Sequence, residues 1–164
     1  MTILMGSISD RDQMEPAMAV LDELGVSWEA HVTSAHRTPE RTEELVRRAE
    51  QGGCRAFICG AGMAAHLAGA VAARTRIPVL GVPLPGGMLD GLDALLATVQ
   101  MPPGVPVATF GVGPAGARNA AFFAARIVAG HRPEVREAVD RAWEAAARKV
   151  EASDVALAEA WGRR

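Results

Sequence analysis

Short apolar runs alternate with amphipathic stretches along this chain, and Gly or Pro marks the joints between them. Ile3–Met5 reads as a strand beginning almost at the first residue, followed by a loop at Gly6–Asp10. Arg11–Leu24 places Met14, Met18, Leu21 and Leu24 on one helical face, and Gly25 stops it. Ser27–Thr33 reads as a second strand. Thr38 and Pro39 then supply an N-cap and a first helical residue for a helix to about Gln51. A third strand is expected at Ala56–Cys59, with a glycine loop and an alanine-rich helix to about Arg74 behind it. Pro78–Val82 is the fourth predicted strand, Gly91–Val99 a helix, Val105–Phe110 the fifth strand and Ala115–Ala129 a helix of small residues. From Pro133 to the end runs a charged helix whose apolar positions, Val135, Val139, Ala142, Trp143, Ala146, Val150 and Leu157, form a stripe that needs a partner surface.

The strand–helix rhythm predicts an α/β fold, a three-layer α/β/α, flavodoxin-like open parallel sheet with helices on both faces. A length of 164 residues suits one domain with a core large enough to stand without disulfides. We expect residues 1–130 to form a single nucleotide-binding catalytic body and 131–164 to be a helical extension of it, packed on a neighbouring subunit.

Composition narrows the classes. A formal net charge of −2 argues against a nucleic-acid partner, and no apolar run approaches the ~20 residues of a membrane span. The N-terminal residues lack a basic segment and a cleavage site, so a cytoplasmic protein is expected. Cys54 and Cys59 are too few and too close for a disulfide framework or a zinc site, and read as reduced cysteines with at least one buried. Sixteen arginines accompany one lysine, Lys149, which leaves little scope for Schiff-base chemistry.

In open parallel sheets, ligands bind beyond the carboxyl ends of the strands, and three such ends carry chemistry here. Gly6-Ser7-Ile8-Ser9-Asp10 offers two hydroxyls, a carboxylate and a helix N-terminus, a setting for a phosphate and for sugar hydroxyls. The same residues equally suit a plain helix cap. Ser34-Ala35-His36-Arg37 presents a planar guanidinium beside an imidazole, the side-chain type that changes charge near neutral pH and can give and take a proton in one turnover. A solvated surface loop is the bland alternative. Gly60-Ala61-Gly62-Met63-Ala64-Ala65-His66-Leu67 is small enough for a flat ligand to approach the backbone, or simply a tight strand–helix joint. His31 and His131 read as structural. The scattered histidines assemble no metal triad, and hydrolase and phosphate-loop motifs are absent.

Taken together, Met5-Gly6-Ser7-x-Ser9-Asp10, Ser34-Ala35-His36-Arg37-Thr38-Pro39, Gly60-Ala61-Gly62, Ala64-Ala65-His66-Leu67, Val79–Pro83 and Val99–Pro102 resemble the family of 5-(carboxyamino)imidazole ribonucleotide mutases of purine biosynthesis, end to end and in order. Arg37 and the segment around His66 match the mutase branch rather than the branch that uses free CO₂. The resemblance implies an isomerase that moves a carboxylate from the exocyclic nitrogen of an imidazole ribonucleotide to ring carbon C4, without metal or organic cofactor, through CO₂ held in the site. It implies His36 as general acid and base, and Ser7, Asp10 and Arg37 as nucleotide ligands. We add Ser9, Ser34 and Ala35 as substrate neighbours, and Gly62, Ala64, catalytic His66 and Leu67 as walls of the CO₂ niche. It further implies a homo-octamer with sites at subunit boundaries. Departures from the family pattern stand at Ile8, Arg11, Met63, Ala68, Ala94, Ala97 and in Leu84–Leu89, where a serine is missing. A paralogous carboxylase or decarboxylase on another heteroaromatic nucleotide is the alternative enzyme, and a non-catalytic binding module the alternative class.

Overall fold

The computed structural model describes residues 1–162. Five strands, β1 (Thr2–Met5), β2 (Glu29–Val32), β3 (Phe57–Ala61), β4 (Val79–Pro83) and β5 (Ala108–Thr109), form one sheet in the order β2-β1-β3-β4-β5. All four pairings are parallel. Among the described residues six helices accompany them: α1 (Arg11–Glu23), α2 (Pro39–Gln51), α3 (His66–Ala72), α4 (Leu92–Val99), α5 (Pro114–Ala129) and α6 (Pro133–Trp161). This is the expected flavodoxin-like architecture, with its switch in strand order between β1 and β3.

The period of two along each strand sorts its side chains into two cores. Ile3, Met5, Ile58, Leu80 and Val82 face α1 and α5, where Met14, Ala17, Leu21, Ala121 and Ala124 meet them. Leu4, Phe57, Cys59 and Val79 face the opposite layer, among Leu45, Val46, Leu67 and Val71 of α2 and α3. Each large apolar side chain buried this way contributes about 1.5–3 kcal/mol. Glycine sets the closest approaches. A Cβ on Gly60 would stand 2.5 Å from Met14 Sδ, so that α1 lies directly on the β3 backbone.

Several boundaries differ from expectation. Residues 8–10 form a 3₁₀ turn rather than a loop, because Ser7 caps it. The buried stripe of α1 includes Ala17 and Val20, while Met18 is only partly covered. Strand β5 shrinks to two residues: Pro106 has no N–H to offer, and Val105 turns back to donate to the Pro102 carbonyl. Thr38 precedes α2 as expected but makes no side-chain cap; its hydroxyl serves the preceding loop instead.

Helix α6 packs its first turns on α5 through buried Val135 and Val139, with Ala142 partly covered. At 29 residues it is about 43 Å long. Trp143, Val150 and Leu157 of the expected stripe are exposed, as are Val155 and Trp161. Its expected continuation through Arg163 and Arg164 lies outside the described residues. No described helix is long and apolar enough to cross a membrane.

Candidate active site

The carboxyl ends of β1, β2, β3 and β4 open onto one cavity of about 560 Å³. The loop after β1 contributes Ser7, Ser9 and Asp10, and the loop after β2 contributes Ser34, Ala35, His36 and Arg37. The loop after β3 contributes Gly62, Met63 and Ala64, and the first turn of α3 contributes His66 and Leu67. Every site residue singled out in the sequence therefore borders the same space. His31 and His131 do not. His31 sits in β2 with Nε2 3.3 Å from Glu29 Oε2, and His131 lies in the turn between α5 and α6.

The two remaining histidines touch. His66 Nδ1 lies 3.0 Å from His36 Nε2, and the rings are 5.0 Å apart between centroids, tilted by 41°. One nitrogen donates and the other accepts. Two N–H groups cannot face each other at that distance, so the pair holds a single hydrogen on its shared line. Strands β2 and β3 both flank β1, which separates them by about 9.6 Å. The two loops therefore lean over the end of β1 to bring the rings together.

A hydroxyl network ties the His36 loop, with Ala35 packed partly against the core beneath it. Thr38 Oγ1 accepts from Ser34 N–H at 3.0 Å and donates to the Ser34 carbonyl at 3.2 Å. Ser34 Oγ accepts from Arg37 N–H at 3.2 Å. Beneath them, Thr33 and Thr42 hydroxyls pair at 2.9 Å. This network consumes the cap expected of Thr38 and leaves the His36 ring and the Arg37 side chain directed outward, both exposed.

The β1 loop is tied by a reciprocal cap. Ser7 Oγ accepts from Ser9 N–H at 3.3 Å, and Ser7 N–H donates to Asp10 Oδ2 at 2.9 Å. The segment is a cap, and it also borders the cavity. Burial pushes the Asp10 carboxyl above the ordinary carboxylate range, and the backbone N–H groups of Ser7 and Gly6 pull it partly back. A raised acid stabilises the fold below its unfolded-state pKa, and that contribution is lost as pH rises through the folded-state value. Asp10→Asn is therefore expected to melt slightly above wild type at pH 7, the difference vanishing as pH falls below the carboxylate range. It should also weaken nucleotide binding by about tenfold to a hundredfold, the worth of a hydrogen bond to a charged group. Melting curves across pH together with calorimetric titration check both halves.

The turn Gly62–Ala65, closed by Ala65 N–H donating to the Gly62 carbonyl at 3.0 Å, is strained. Met63 (φ +53°) and Ala65 (φ +41°) both occupy the left-handed region without being glycine, which costs about 1–3 kcal/mol each. Sequence reasoning flagged Met63 only as a departure and left Pro85, Gly86 and Gly87 off the site, although all of them line the cavity. A glycine pair three residues past the end of β4 was the available signal.

Burial pushes the Cys59 thiol far above its usual range, and half-buried Cys54 donates to the Ala56 carbonyl at 3.1 Å. No cluster of three or more potential metal ligands exists among the described residues.

Comparison with known proteins agrees over nearly the whole chain. The family model described as AIR carboxylase matches residues 1–149. The N5-carboxyaminoimidazole ribonucleotide mutase of Haemophilus influenzae is 51% identical over 128 residues, 78% of this chain and 78% of its own. The mutase of that name from Pyrococcus horikoshii is 46% identical over 162 residues, 98% of this chain and 90% of its own. The crystal structure of Treponema denticola PurE superposes with a TM-score of 0.87 at 28% identity, covering 95% of this chain and 96% of that one.

Proposed function

The chain belongs to the AIR carboxylase family, and from that premise we propose that it is an isomerase converting 5-carboxyaminoimidazole ribonucleotide to 4-carboxy-5-aminoimidazole ribonucleotide in purine biosynthesis. The observation that carries this reading is the His36–His66 contact of 3.0 Å inside a cavity that also meets Arg37 and the Ser7–Asp10 loop.

The loop after β1, at the head of α1, receives the phosphate through Ser7 and Ser9, with Arg37 opposite. Asp10 accepts from a sugar hydroxyl, while Ser34 and Ala35 shape the edge against the ring. The bond between the exocyclic nitrogen and its carboxylate breaks, CO₂ departs, and the electron pair stays on nitrogen. His36, protonated at the start, gives nitrogen its proton. Ring carbon C4 then attacks CO₂, forming the new carbon–carbon bond, and His36 takes the proton that C4 sheds. One proton leaves the histidine pair and one returns, so the step balances without a co-reactant. The hydrogen shared on the His36–His66 line stays between the rings throughout, and through it His66 fixes the orientation of the working ring. Gly62, Ala64 and Leu67 supply apolar surface against which CO₂ stays at high effective concentration.

Assembly completes the site. The exposed apolar positions of α4, Leu92, Leu96 and Val99, and the far half of α6 with Val150, Leu157 and Trp161 support association of copies. In our reading they form a homo-octamer in which residues 131–164 extend the catalytic body onto a neighbour.

An ultraviolet assay decides the reaction. The enzyme should turn over carboxyaminoimidazole ribonucleotide directly. Conversion of aminoimidazole ribonucleotide plus bicarbonate alone would overturn the mutase in favour of a carboxylase.

A further inference from the structure

Met63 is the one long apolar side chain on the cavity wall that the scheme above leaves without a task. Nothing in the core explains it, because its side chain is 66% exposed. Nor does backbone geometry explain it, because φ +53° favours glycine. What the strained position does is aim the side chain across the cavity's edge. A Cβ on Gly87 would stand 3.2 Å from Met63 Cγ, so the methionine leans on the glycine pair that follows β4. Gly86 (φ +120°) and Gly87 (φ +74°) both need the freedom of glycine, and they leave the methionine a bare backbone to rest against. The contact joins the loops after β3 and β4 on the side of the cavity where Gly62 and Ala64 lie. Most of the remaining wall is polar or small. An unbranched thioether with three rotatable bonds fills an irregular gap there well.

We infer that Met63 closes this side of the site against escape of CO₂ and entry of water, and so sets how much of the released carboxyl group reaches C4. The inference rests on the proposed mutase chemistry. CO₂ is uncharged and small, and no ion pair can hold it between cleavage of its bond to nitrogen and formation of its bond to carbon. An apolar closure is the remaining means of retention.

The test follows the label. Substrate carrying a ¹³C carboxylate is turned over in buffer with unlabelled bicarbonate, and the ¹³C content of the product is measured by mass spectrometry. Wild type should retain most of the label. Met63→Gly, which relieves the positive-φ strain and so should fold at least as well, is expected to lose label several-fold faster with KM for the nucleotide nearly unchanged. Met63→Leu should restore retention. Equal retention in wild type and Met63→Gly would overturn the role of Met63 while leaving the mutase intact. Equal loss in the glycine and leucine variants would overturn apolar closure as its basis. Complete loss of label in wild type would sink the retained-CO₂ reading itself, and this inference with it.

Discussion

His36→Asn is expected to lower turnover by about 10²–10⁴-fold, the usual worth of a general acid–base group, with nucleotide affinity close to wild type. The amide is near the size of the ring and can still accept or donate toward His66 Nδ1, which His36 Nε2 meets at 3.0 Å. It cannot carry a proton to nitrogen or take one from carbon. The loop should survive the change, because Ser34, Thr38, Thr33 and Thr42 hydroxyls hold it and the His36 ring does not. The phosphate and sugar contacts proposed above fall to Ser7, Ser9, Asp10 and the Arg37 side chain rather than to the His36 ring, so binding and turnover should separate. Steady-state rates and calorimetric titration on the same preparation check this. Turnover near the wild-type rate would remove His36 from the chemistry.

The largest loss of stability is expected at Gly116, far from any reacting atom. A Cβ there would stand 1.6 Å from the Gly111 carbonyl oxygen and 2.6 Å from its carbonyl carbon, both backbone. No rotamer relieves such a clash, so α5 must move away from the segment after β5. Moving it disturbs Ala117, Ala120, Ala121, Ala124 and Ala125, all fully buried. It also strains the bond from Gly113 N–H to the Pro83 carbonyl, 2.9 Å long, which steadies the end of β4 behind the site. Gly116→Ala should cost about 3 kcal/mol or more, a fall in Tm of about 6–12 °C for a chain of this size. Gly130→Ala is the control. Gly130 has an ordinary helical φ of −59°, its added Cβ would make only a 3.5 Å contact, and it should be neutral or slightly stabilising. Thermal unfolding followed by circular dichroism compares the two, and a Gly116→Ala chain melting with wild type would refute the packing argument.

Much of the fold was legible because burial on both faces leaves a plain mark. Triplets such as Ile3-Leu4-Met5 and Phe57-Ile58-Cys59 send alternate residues into two cores, and only a strand covered on both sides reads as continuously apolar. Strand β5 was overcalled for the complementary reason. An apolar stretch at the sheet's edge looks the same in sequence whether or not it finds a partner, and here only Ala108 and Thr109 do. Thr38 misled because hydroxyls choose among nearby backbone groups, and sequence does not say which wins. The loops that form the site were legible from strand ends alone. The contact of His36 with His66 was not, since they lie 30 residues apart and their meeting depends on β2 and β3 both flanking β1. Placing His66 with His36 in one niche was our own expectation; topology supplies the cause.

Parallel pairing throughout the sheet sends the leading end of every strand to one rim and the trailing end to the other. Heredity can therefore edit reactivity and scaffold almost independently. A substitution such as the one at position 63 revises a single connecting segment while the strands keep their partners. Descendants of such a chain are free to try new substrates without first relearning how to fold.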